Sequence, residues 1–173
     1  MRHTALALLC AAPLAACISS PTITFDTPVT GSTTIPGSSL PFNLSGTLPG
    51  FDHLQISQQG TLANQNTDKD HLRHVHVKSL SLTASAPQGS DLSFLSSLSF
   101  TLAAPGLADQ RIAHQTVFPK GQATVLLLLD DADLVAFAKA DSISIKTTAQ
   151  GQSPAKDTTI DIAMVLTIEA AIL

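Results

Sequence analysis

Thr159-Ile160-Asp161-Ile162-Ala163-Met164-Val165-Leu166-Thr167-Ile168 decides the fold. Every second side chain (Ile160, Ile162, Met164, Leu166, Ile168) is large and apolar, and they alternate with Thr, Asp, Ala, Val and Thr. A period of two sends the first set to one face of a β-strand and the second set to the other. A strand of this length with one wholly apolar face has to lie over a core, so the chain is expected to build a sheet that buries one side.

Upstream of that strand the pattern is β almost throughout from Thr22. Ile23 and Phe25 share a face in Thr22-Ile23-Thr24-Phe25, and Pro28 to Gly31 and Pro36-Gly37 read as turns. Phe42 and Leu44 alternate with Asn43 and Ser45 before a Pro49-Gly50 turn, and Phe51 to Asp70 is polar, with Leu54 and Ile56 fitting a short strand or one helical turn. Arg73 to Ala84 reads as a long strand with a defect: Val75 and Val77 share one parity, Leu80 and Leu82 the other. One face can bury both pairs only if an extra residue near Lys78-Ser79 bulges out.

Ser90-Asp91-Leu92-Ser93-Phe94-Leu95 reads as a capped turn or one short helix, and Leu98, Phe100 and Leu102 line one face of a strand ending at Pro105-Gly106. Arg111 to Val117 forms another strand, and Pro119-Lys120-Gly121 turns the chain into Ala123–Leu129. Because Val125 to Leu129 is apolar on both parities, that strand is expected to be central and covered on each side. Asp130, Asp131 and Asp133 precede Leu134-Val135-Ala136-Phe137-Ala138, where acidic residues favour a helix start. A strand beginning at Ile143 and Ile145 runs to near Gln150-Gly151. The sum is an all-β chain, an antiparallel β-sandwich of immunoglobulin-like or Greek-key type, with eight or nine strands and one or two short helical turns.

Composition narrows the function classes. The 173 residues are 44% hydrophobic but only 13% charged, against about 25% in typical domains, so hydroxyl and amide side chains supply the polarity. Formal net charge is −4, with no Lys/Arg cluster longer than a dipeptide, which argues against nucleic acid and against electrostatic docking to anionic lipid. Tryptophan and tyrosine are absent, which counts against stacking of sugars on a wet aromatic face.

The start of the chain supplies an address. Met1, Arg2 and His3 precede an apolar run from Ala5 to Leu14, too short to span a bilayer and arranged as a secretory signal. Leu14-Ala15-Ala16-Cys17 then resembles the lipobox of bacterial lipoproteins, in which the thiol is acylated and the chain is cut just before it. This reading divides the chain into a signal peptide at 1–16, a lipidated Cys17 with a short tether at 17–21, and a sandwich domain at 22–173. Cys10 lies in the signal and Cys17 carries lipid, so the mature domain keeps no thiol for a disulfide, a metal or a nucleophile. Ile18 to Pro21 reach about 13 Å when extended, so the domain is expected to sit close against the lipid head groups. Since aspartate after the lipidated cysteine favours inner-membrane retention in known lipoproteins, Ile18 implies sorting to the outer membrane.

Leu80-Ser81-Leu82-Thr83, Ser90-Asp91-Leu92-Ser93-Phe94-Leu95, Ala104-Pro105-Gly106-Leu107, and Gly151 with Asp157-Thr158-Thr159-Ile160 are similar to features of a group of small bacterial lipoproteins. The likeness covers roughly Phe25 to Ile168. These are structural punctuation, and the resemblance implies a sandwich and no activity.

Asp70-His71-Leu72-Arg73-His74-Val75-His76 is the sharpest chemical cluster. On a strand His74 and His76 project from one face about 7 Å apart, a spacing that suits two imidazoles on one zinc or copper ion. His71, Asp68 or Asp70 supplies a third ligand if the preceding loop folds back, whereas Arg73 and Lys78 oppose a cation. An ordinary exposed strand face explains the same residues. Asn64, Asn66, Asp68 and Asp70 recur every second residue like oxygen ligands of calcium, but the loop glycine and distal glutamate are missing. A solvated loop, with Thr67 and Asp70 spaced as a capping box, accounts for them. Asp130, Asp131 and Asp133 are equally explained as a helix cap. No serine sits in a G-x-S-x-G elbow, H-E-x-x-H is absent, and His53 or His114 pair with aspartates only on paper.

The sequence therefore points to a non-enzymatic, lipid-anchored envelope protein in the outer membrane, structural, adhesive or accessory to an envelope complex. Its expected partners are the membrane, through the N-terminal anchor, and another envelope protein. The alternative is a module binding a small ligand or metal at the His74/His76 face; no other cofactor is expected.

Overall fold

The computed structural model describes residues 21–39, 43–46, 62, 64–65, 67–140 and 142–172. The signal segment, Cys17, Phe42, the Pro49-Gly50 turn, His53, Leu54, Ile56 and Asn66 lie outside the described residues. Among the described residues there are nine strands: β1 (Thr22–Ile35), β2 (Asn43–Gly46), β3 (Leu72–Ala86), β4 (Leu95–Ala103), β5 (Gln110–Gln115), β6 (Thr124–Leu126), β7 (Leu128–Leu129), β8 (Ser144–Gln152) and β9 (Thr158–Ala171). They are accompanied by a 3-10 turn at Lys69–His71 and a short helix, α1 (Val135–Lys139).

The strands form a four-stranded sheet, β1-β9-β3-β6, and a five-stranded sheet, β2-β8-β4-β5-β7, antiparallel throughout. The expected antiparallel sandwich is present. Its pairing is nested: β1 with β9, β2 with β8, β3 with β6, β4 with β5. A chain that folds on itself as one long hairpin and then wraps across both sheets is a jelly roll, the doubled form of the Greek key.

The 159–168 segment lies where its periodicity demands. It is the body of β9, flanked by β1 and β3, with Ile160, Ile162, Met164, Leu166 and Ile168 buried against Leu98, Phe100, Leu102 and Ile145 of the facing sheet. The parity conflict in β3 is resolved as required: Val77 pairs with Leu166, Ser79 with Val165, and Lys78 is the residue left over. Val75 before the bulge and Leu80 and Leu82 after it thus all reach the same core. Gly151 marks a close approach between β8 and the start of β4, because a Cβ there would stand 2.2 Å from the Phe94 carbonyl oxygen.

Three local expectations are corrected. Pro28 to Gly31 is not a turn but the middle of β1, which pairs without interruption from Thr22 to Ile35. As the outermost strand β1 has a neighbour on one side only, so a residue without an N–H is tolerated. Val125 to Leu129 is not a central strand: β6 closes one edge of the first sheet, and β7 closes one edge of the second. The chain crosses between sheets at Leu127, burying Val125 and Leu127 and leaving Leu126, Leu128 and Leu129 exposed. Finally, the cap before His71 is Asp68, whose Oδ1 accepts the N–H groups of Asp70 and His71, while the buried Thr67 hydroxyl donates to the Ala171 carbonyl.

The two sheets close tightly on each other. Beneath α1 the side chains of Val75, Leu102, Ile112, Phe137 and Met164 border a cavity of about 10 Å³, room for at most one water.

Candidate functional site

β6 covers only the Ser81–Thr83 part of β3, so the first half of β3 would have a free edge. The segment leading into α1 fills it. The Leu134 N–H donates to the Val75 carbonyl (2.7 Å), and the Val75 N–H donates to Asp133 Oδ1 (3.2 Å). Asp133 Oδ1 also accepts the N–H of Val135 at the start of α1 (3.0 Å), from the position before Leu134, which is the N-cap and carries no side-chain cap bond. Two backbone donors therefore fix this carboxylate and aim its second oxygen over the outer face of β3.

There it meets the histidines. Asp133 Oδ2 lies 2.7 Å from His74 Nδ1, and His76 Nδ1 lies 3.2 Å from the Ala132 carbonyl oxygen. The imidazoles project from the same face, as strand spacing requires, and stack with centroids 6.0 Å apart and planes 19° from parallel. One donor atom from each of His74, His76 and Asp133 falls within 4.8 Å of the other two. Across the sheet Glu169 and Thr167 of β9 stand opposite His74 and His76, and Thr24 of β1 stands opposite Glu169. These five side chains line an open hollow on the outer face of the first sheet.

Burial alone would raise the Asp133 carboxyl, but the His74 imidazole and the N–H groups of Val75 and Val135 outweigh it and hold the group below the usual carboxylate range. Lys78, expected to oppose a cation, is engaged elsewhere: its ammonium pairs with Asp26, which also accepts from the Thr167 hydroxyl. Lys78 and Thr167 together draw the Asp26 carboxyl down.

The structure brings together His74 and His76, as their spacing indicates, but the third member comes from Asp133 and not from the preceding loop. His71 turns to Asp68, with Nδ1 2.7 Å from Oδ1, because Asp68 caps the 3-10 turn that ends at His71. Asp70 is exposed, and its backbone carbonyl accepts the Lys139 ammonium. The acidic run also divides: Asp130 is held bidentately by Arg111 (2.8 and 2.9 Å), and His114 stands 3.6 Å from the same carboxylate. Asp133 carried a signal in the sequence, as a helix cap, but nothing local marks its reach to β3.

No protein-family model matches the chain, and no curated protein sequence matches it. Among solved structures it is similar to the decameric BFDV capsid protein, at 9% identity and a TM-score of 0.42, covering 87% of this chain and 99% of that one.

Proposed function

We propose that the chain is a non-enzymatic, lipid-anchored β-sandwich of the bacterial envelope, held in the outer membrane through Cys17 and serving a structural, adhesive or accessory role beside another envelope protein. The observation that carries this reading is Leu14-Ala15-Ala16-Cys17 at the end of a short apolar run with a basic start. The fold is compatible with a short tether. The Pro21 carbonyl accepts the N–H of Ile172, and β1 begins at Thr22, so only 18–20 separate the anchored cysteine from the sandwich. Burial of acyl chains, at about 0.8 kcal/mol per methylene, holds such a protein stably when more than one chain is attached.

Replacing Cys17 with serine removes the acylation site. The expected result is transfer of the protein from the membrane pellet to the soluble fraction, with loss of the acyl mass on the N-terminal peptide. Continued pelleting of the Cys17→Ser protein, or a native N-terminal peptide bearing a free thiol, overturns the proposal.

A further inference from the structure

We propose that His74, His76 and Asp133 form a binding site for a divalent transition metal, zinc or copper(II), on the outer face of the first sheet. The inference stands independently of lipid anchoring, because it rests on side chains of the folded domain.

Donor chemistry points to this class of ion. Two imidazoles and a carboxylate suit zinc and copper(II), whereas magnesium and calcium take oxygen ligands almost exclusively. The three groups lie on different structural supports, two on β3 and one on the segment entering α1, yet one donor atom from each falls within 4.8 Å of the others. Ligands at 2.0–2.2 Å from a tetrahedral ion stand about 3.3 Å apart, so to admit one the His74–Asp133 pair has to open by less than about 1 Å and any pair as wide as 4.8 Å has to close by about 1.5 Å. That pair is now closed at 2.7 Å on a hydrogen-bond proton, which the metal would replace.

The site is also prepared for binding. Asp133 is fixed by the N–H groups of Val75 and Val135, so its carboxylate is already oriented. His74 and Asp133 side chains keep 56% and 39% of their surface, so an ion can reach them from solvent. Glu169, opposite His74, brings a second carboxylate to the hollow, and Lys78 is neutralised by Asp26. Three protein donors leave a fourth position for water or for the carboxylate of Glu169, which stands across the sheet from His74.

The test is calorimetric titration of zinc chloride and of copper sulfate into the full chain, purified without a polyhistidine tag, beside His74→Ala/His76→Ala, Asp133→Asn and His71→Ala. The unaltered chain is expected to bind one ion of at least one of the two metals. Asp133→Asn should weaken it at least tenfold, the double histidine variant at least a hundredfold, and His71→Ala less than threefold. Zinc should also shift the ring-proton resonances of His74 and His76 in the unaltered chain while leaving those of His71 in place, a reading that needs no variant to fold. Absence of binding at millimolar metal, equal binding by the double variant, or loss on His71→Ala overturns the proposal.

Discussion

Asp133 and His74 are in hydrogen-bond contact, 2.7 Å apart, although 59 positions separate them along the chain. The contact depends on backbone bonds to the other carboxylate oxygen, which ties Val75 of β3 to Val135 of α1. Asp133→Ala strands both donors and should cost about 1–2 kcal/mol in urea unfolding. Asp133→Asn keeps an acceptor oxygen and should cost less than half of that. Equal losses for the two variants would show that charge, and not backbone capping, is what Asp133 contributes to stability.

The bulge at Lys78 holds two runs of opposite parity on one core. Deleting the residue removes the bulge and joins the two runs in one uninterrupted parity, so Val75, Leu80 and Leu82 stay on the core face. The deletion should cost less than about 3 kcal/mol and keep a cooperative transition, because no core side chain changes face. Lys78→Ala keeps the chain length and loses only an exposed ion pair, so its thermal transition should stay close to that of the parent. A deletion variant that loses its cooperative transition would mean that Lys78 is not the residue that reconciles the two parities.

The crossing at Leu127 makes neighbouring leucines unequal. Leu127 is 7% exposed and Leu128 is 56% exposed. Leu127→Ala should cost about 2–4 kcal/mol, and Leu128→Thr should stay within about 0.5 kcal/mol of the parent. Denaturant midpoints for the pair decide the matter. Comparable losses at both positions would restore the doubly covered strand suggested by composition.

Asp130 gives a pH-dependent contribution of known sign. The Arg111 guanidinium beside it holds its carboxyl below the usual range, and the same contact raises the Arg111 group. A carboxyl with a lowered native pKa stabilises the fold fully above its unfolded value, about 3.9, and loses that contribution as pH falls through the native value. The stability difference between the parent and Asp130→Asn should therefore be constant from pH 7 to about 5 and shrink toward pH 2. A difference that grows on acidification would reverse the assignment.

Sequence periodicity carries far in this chain where it is strict. Ile160 to Ile168 reports a buried face because alternation has no other economical use, and the conflict between Val77 and Leu80 places a defect near Lys78-Ser79, which the register narrows to Lys78. Periodicity fails where a residue type has two physical uses. Pro28 reads as a turn because proline lacks a donor, yet an outer strand can do without that donor. Leu126 and Leu128 read as buried because they are apolar, although the chain is passing from one sheet edge to the other. Within the candidate site, His74 and His76 are legible through their i, i+2 spacing. Asp133 is not, since its position beside β3 follows from how far β6 extends, a property of the packed sandwich.

The bond between Pro21 and Ile172 has a geometric consequence for the whole molecule. It puts the beginning of β1 and the end of β9 side by side, at the same end of the sandwich as His74 and Thr24. The turns around Gly37, Gly89 and Gly121 gather at the opposite end, some fourteen strand residues or about 45 Å away. A domain gripped beside Pro21 would stand like a post, with the stacked histidines at the foot and its glycine turns at the summit.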